Sequence, residues 1–408
     1  MALLSVAFGL AISSKMASLR AAILLTLLLA FPLTILAFIL FGFGLSSAAH
    51  DAWPGIAQGS PIWLPTAYQR APFGTDYVIY LILLPIASIA LPAWFLYEVT
   101  IANLTSITDD RSTGLKRWFL IAAPVLALAA GVFPVSVGGT KPAIPLIVSM
   151  SIFYVFLGFC VFLFAGDPIG PSRRVQIHWD AIRASRFRRF LGPGVMRSAV
   201  LLLILGLGAI SALTLFGVVL LRAPGVLTTE IQTAQLYAFA EYAAAFYVFV
   251  VGLGAWLRAR ATSSLSTRVL LFAILFGIAV GPWMVAAIAG LITDGVSSDD
   301  ALLVASPSPF YSYVIVDAID DKDGSAAKVT AGLLCSAGWV ILGLLLLASA
   351  GRRARRIIAD HAAAQRHAYV RLREEDASIA AAEAEADRLR AAMEVRAGSE
   401  GTSASVQP

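Results

Sequence analysis

Eight uninterrupted apolar runs, each about 20 to 25 residues long, constrain this chain more than any other feature. They cover residues 21–45, 77–97, 118–137, 143–165, 198–221, 233–257, 269–292 and 329–350. At 1.5 Å per residue each gives a helix of about 30 to 36 Å, enough to cross hydrocarbon. Backbone polar groups in lipid must be satisfied within the segment, which selects helices over isolated strands. Only 13% of the 408 residues are charged and 59% are apolar. A water-soluble enzyme is excluded on that count, because so few charges cannot cover its surface. The fold class expected is an all-α polytopic membrane helix bundle with about eight transmembrane helices.

The cationic residues set the orientation. With the N-terminus inside, 25 of the 30 Lys and Arg residues fall in inner segments. The outer side keeps Arg70, Lys141, Arg222, Lys322 and Lys328. The positive-inside rule then predicts cytoplasmic N- and C-termini in the inner membrane. Residues 1–20 form a short apolar interfacial segment, 21–350 the transmembrane domain, 351–396 a charged cytoplasmic C-terminal helix and 397–408 a disordered tail. The run 21–45 is longer than the 7 to 15 apolar residues of a cleavable signal, so it reads as an anchor. The net charge of +5 sits beside apolar runs, which points to anionic lipid headgroups and not to nucleic acid.

Chemistry-bearing motifs are sparse. No lysine follows a glycine, so no phosphate-cradling Walker loop is present. His50, His178, His361 and His367 form no metal-ligand spacing, and the two cysteines, Cys160 and Cys335, lie inside apolar runs. The run Asp320 to Gly324 resembles part of a calcium loop, but the alignment puts Ile319 and Thr330 at essential ligand positions. A solvated acidic turn in an outer loop, 293–328, is expected there. No catalytic residue, metal or cofactor is called for, and an enzyme is not expected.

Glu241 is the one titratable residue deep in a run, with Tyr237 one turn before it on the same face. Burying a carboxylate in lipid costs several kcal/mol, which marks Glu241 and Tyr237 as a candidate substrate or proton contact. The alternative is a carboxyl hydrogen-bonded to a neighbouring helix, favoured by the absence of further titratable groups. Between Ser172 and Leu191, an apolar stripe of Val175, Trp179, Ile182, Phe187, Phe190 and Leu191 is decorated by arginines. One amphipathic helix flat on the inner leaflet is predicted, contacting headgroups or docking a cytoplasmic partner. Arg111, Lys116, Arg117, Arg173, Arg174, Trp179, Arg186, Arg188 and Arg189 are the candidate contact residues. In the tail, Leu372, Ile379, Ala386 and Met393 recur every seven residues, with Ala382 and Leu389 between, and a single solvated helix suffices.

Three stretches carry a family resemblance. Gly9 to Ser13 with the span from Leu19 to Leu33, Ala102-Asn103-Leu104 with Asp110 to Arg117, and Ser306 to Tyr311 before the last span resemble bacterial type-2 ABC-exporter permeases. They cover about a quarter of the chain. The family has six spans and an early inner coupling helix, whereas eight runs are counted here. The resemblance implies a permease subunit energised by a separate nucleotide-binding ATPase that docks on inner loops such as Thr105 to Arg117 or Ser172 to Leu191. The rival reading is a membrane scaffold that recruits cytoplasmic partners through basic loops and the C-terminal helix.

Overall fold

The computed structural model describes residues 2–16, 23–26, 84–106, 109–136, 143–222, 230–292, 299–320 and 326–403. Twelve helices are named among them, and no strand is assigned to any described residue. They are α1 (Ala2–Ser13), α2 (Leu84–Leu104), α3 (Thr113–Ser136), α4 (Ala143–Phe164), α5 (Arg173–Ala181) and α6 (Arg186–Leu191). The series continues with α7 (Val195–Leu221), α8 (Glu230–Arg260), α9 (Ser264–Ile292), α10 (Asp299–Val304), α11 (Tyr311–Asp320) and α12 (Ala326–Ser403). Among the described residues six helices, α3, α4, α7, α8, α9 and α12, are long and apolar enough to cross a membrane. The molecule is an all-α bundle of the membrane-embedded kind. The expected span 21–45 lies almost wholly outside the described residues, as does the start of 77–97, whose helix α2 runs on to Leu104.

α8 is the central helix. It packs against α4, α7, α9 and α11, and two-thirds of its apolar window is buried, compared with 11% for α9. Small residues allow the close approaches. Tyr247 of α8 lies over Gly206 of α7 and donates its hydroxyl to the Leu202 carbonyl at 2.8 Å. Tyr154 of α4 reaches the Ala240 carbonyl at 3.1 Å. A backbone-to-backbone approach lies between Gly252 of α8 and Gly343 of α12, where a first side-chain carbon at Gly252 would fall 2.2 Å from the Gly343 carbonyl oxygen. α9 keeps Phe272, Phe276, Val285 and Ile288 more than half exposed, a face suited to hydrocarbon.

Within the segment expected as an outer acidic loop, residues 299–320 hold two helices joined by a turn, and the acidic turn expected at 321–324 lies outside the described residues. α10 and α11 are joined by Ala305 to Phe310, and this turn packs within the bundle. Ser308 donates to the Ala279 carbonyl of α9 at 2.8 Å and accepts from the Trp283 indole at 2.8 Å. Ala279 is thirteen residues inside the Ile292 end of α9, about 20 Å at the helical rise. Non-helical backbone at that depth survives only when protein satisfies it. Tyr242 does so, donating to the Ser306 and Ser308 carbonyls, the latter at 2.9 Å. Gln235 adds a bond to the Val316 carbonyl at 2.9 Å. The polar residues of the turn, set among aromatics, are what brings it inward.

The chain divides into two compact units, residues 1–352 and 353–408. The second is the continuation of α12, whose side chains from Arg355 to Ala391 are nearly all exposed.

Candidate functional site

One polar node lies at the arginine-rich end of the bundle. α4 ends at Phe164, and the chain turns through Gly166 and Asp167. The Asp167 carboxylate is 2.9 Å from the Lys116 ammonium of α3, and the two side chains are 9% and 0% exposed. Ser198 of α7 donates to the same carboxylate, and Arg258 of α8 donates to the Asp167 carbonyl at 2.7 Å. Arg268 of α9 lies over Gly166 and donates to the Phe162 and Leu163 carbonyls, both at 3.1 Å, capping the C-terminus of α4 where the helix dipole is negative. Asp167 therefore joins the end of α4 to α3, α7 and α8, and α9 is tied to the same helix end through Arg268.

The node is continuous with the surface helices. Lys116 also donates to the Gly192 carbonyl at 2.7 Å. The Trp179 ring of α5 occupies the space a side chain on Gly192 would need, and the Arg197 guanidinium lies 5.3 Å above that ring. Arg197 donates to the Arg189 carbonyl at 2.6 Å. Any residue but glycine at 192 would expel the indole, and Gly194 has φ +153°. These contacts clamp α5 and α6 onto the bundle.

The single amphipathic helix expected over 172–191 is two helices. Ser172 and Ser185 are the N-caps, their hydroxyls accepting from the Val175 and Arg188 amides at 3.2 Å each. Between them Arg183 adopts φ +46°, and the Arg183 and Ala184 amides donate to the Asp180 and Trp179 carbonyls. That pairing is a Schellman ending, which closes α5 before the apolar stripe is complete. The stripe consequently divides. Val175, Trp179 and Leu191 are buried in protein and Phe190 is half-buried, whereas Ile182 and Phe187, with the neighbouring Ile177, are exposed beside arginines.

The contact residues expected from sequence separate in the same way. Arg117, Arg173, Arg174, Arg186, Arg188 and Arg189 are exposed, with Arg174 paired to Asp109 at 3.1 Å and Arg189 to Asp180 at 3.0 Å. Arg111 is half-buried and donates to the Thr105 and Ser106 carbonyls. Lys116 and Trp179 are enclosed and face inward, a correction to the surface role expected of them. Their neighbours in the fold, Asp167 and Gly192, were not singled out by sequence. Asp167 closely follows an apolar run and Gly192 begins a Gly-Pro-Gly turn, but nothing in the linear order joins them to Lys116.

Glu241 and Tyr237 lie on an exposed face of α8, one turn apart, and no hydrogen bond joins them. Glu241 opens into a groove of about 520 Å³ between α7, α8 and α12, lined otherwise by Leu207, Ala244, Val248, Leu333, Ser336 and Val340 among others. Across α8 a second cavity of about 280 Å³ is lined by aromatics of α4, α8 and α11, including Tyr154, Phe239 and Tyr313. Tyr313 donates to the Ser151 hydroxyl at 2.7 Å. Among the described residues no group of three His, Cys, Asp or Glu side chains could hold a metal ion.

No family model matches the chain, and no curated protein or solved structure is similar to it at a significant level.

Proposed function

We propose that the chain is a permease-like subunit of a transporter in the inner membrane, driven by a separate nucleotide-hydrolysing ATPase that docks on α5 and α6. In this reading eight spans cross the bilayer, the arginine-rich end is cytoplasmic and both termini lie there. The supporting observation is the node at Asp167. A short helix pair with an outward face of Arg173, Arg186, Arg188, Ile177 and Phe187 is clamped to α3 and α7, which meet α4 and α8 at that node. The Lys116 bond to the Gly192 carbonyl links the pair to that node.

Co-expression with the ATPase of a neighbouring reading frame, followed by purification in mild detergent, tests the reading. The two proteins should co-purify, and Arg186→Glu with Arg188→Glu should lower the bound ATPase about tenfold or more, because reversed charges at an interface rim slow association. Both arginines are exposed, so the elution profile of the chain itself should not change. Full retention of the ATPase by that variant would remove the docking site. Loss of every partner on deleting residues 353–408 alone would mark a scaffold instead.

Glu241 is proposed as the polar contact for substrate or proton in the lateral groove. A carboxylate among apolar side chains at membrane depth is retained only at a cost of several kcal/mol. Glu241→Gln should reduce substrate-stimulated nucleotide hydrolysis about tenfold, the loss of one charge-assisted hydrogen bond. Unchanged stimulation would leave Glu241 with no part in transport.

A further inference from the structure

The second unit, taken by itself, presents an apolar stripe along one helix. In residues 358–393 of α12 the side chains of Leu372, Ile379, Leu389 and Met393 are each more than half exposed. Leu372, Ile379, Ala386 and Met393 occupy one position of a seven-residue repeat, the a position of a coiled coil. Ala368, Ala382 and Leu389 occupy the d position three residues later in each repeat, with Glu375 as its one polar member. Seven of eight a and d residues from Ala368 to Met393 are therefore apolar. Within this stretch the recorded ion pair between described residues is Asp387 with Arg390, at 3.6 Å. Such an arrangement does little to hold a lone helix in water, although its alanine content favours helix.

We propose that residues 368–393 pair with the same segment of a second copy of this chain, as a parallel, in-register coiled coil. The charges flanking the stripe choose the occupant and its direction. In a parallel pair each g residue faces the e residue five positions later on the other helix. Those pairs are Arg371 with Asp376, Ser378 with Glu383, and Glu385 with Arg390. Two are attractive, none is repulsive, and symmetry doubles each. Centring an antiparallel pair on the same stripe sets Asp376 against Glu383 and leaves Arg371 facing Ala392 and Glu385 facing Ser378, so one repulsion has no attractive pair to offset it. Glu375 brings two carboxylates together at a d position, with Arg371 one turn earlier on each helix. That cost weakens the pair and keeps it reversible. The inference stands apart from the transport reading, since it uses only the second unit.

Cysteine cross-linking of the full-length chain in detergent tests it, with the parent chain as the background for Cys160 and Cys335. Ile379→Cys, at an a position, should form a disulfide dimer under mild oxidation, and Ala377→Cys, on the outer face, should form about tenfold less. On the Ile379→Cys background, Glu385→Arg should lower the dimer about tenfold, and adding Arg390→Glu should restore it, since the swapped pair is again complementary. Glu375→Leu should raise the dimer by a similar factor. Equal cross-linking at 377 and 379 would overturn the proposal, as would failure of the double swap to rescue or a monomer unaffected by Glu375→Leu. A chain that cross-links only to another protein would overturn it too.

Discussion

Replacing Lys116 by methionine is expected to unfold the arginine-rich end of the bundle. The substitution leaves the Asp167 carboxylate buried beside Ser198 with no compensating cation in contact, and removing one partner of a buried ion pair costs about 3–5 kcal/mol. In detergent the temperature at which half of the protein leaves the monodisperse peak should fall by about 10 °C. Asp167→Asn should act similarly, because it leaves the ammonium of Lys116 enclosed with only the Gly192 carbonyl. Lys116→Met combined with Asp167→Leu removes both charges, and well-packed apolar replacements of buried pairs are often neutral. The double variant should therefore recover most of the lost stability. Singles as stable as the wild type would show that the pair does not hold the helix ends together. A double as unstable as the singles would transfer that role to the hydrogen bonds of Gly192 and Ser198.

Gly252→Val carries the second large effect. At this crossing both surfaces are backbone: the added carbon meets the Gly343 carbonyl at 2.2 Å, and a carbon on Gly343 meets the Phe249 backbone at 2.8 Å. No side chain can rotate away, so α8 and α12 must separate along their length. Overpacking of this kind costs about 3 kcal/mol, and the separation also disturbs the Phe249–Trp339 ring contact at 4.4 Å. The same thermal measurement should report a loss comparable to that of Lys116→Met. Gly338→Ala is the control. It lies on α12 with nothing within 4 Å, so it should be neutral or stabilising by up to about 1 kcal/mol through helix propensity alone. A Gly252→Val chain that melts with the wild type would mean the two helices are not in contact.

The long helices were legible because a run of apolar residues has one solution in lipid, and that solution depends only on local hydrogen bonding. The observed helices begin three to five residues before several of the runs, as at Thr113 and Ser264, since polar residues continue the backbone ladder beyond the hydrocarbon. The buried turn at Ser306 to Phe310 was not legible. Its composition is that of a loop, and its depth is set by Tyr242, Trp283 and Ala279 on two other helices. The amphipathic period of 172–191 correctly marked Val175, Trp179 and Leu191 as one apolar set, but it could not tell lipid from protein as the surface they meet. Asp167 was invisible for a related reason. Its importance comes from Lys116, Ser198, Arg258 and Arg268, which lie 31 to 101 residues away along the chain. Glu241 stood out as a lone charge in an apolar run, and the groove around it gives that solitary carboxylate a setting without giving it a partner.

Knotting the rods at one end, around Asp167 and the last carbonyls of α4, limits how this bundle can deform. No rod can slide or rotate at that end without dragging its companions, so displacement there becomes a collective tilt, as in a raft lashed at one edge. Larger excursions then belong beyond the sunken turn, which is itself wedged between α8, α9 and α12.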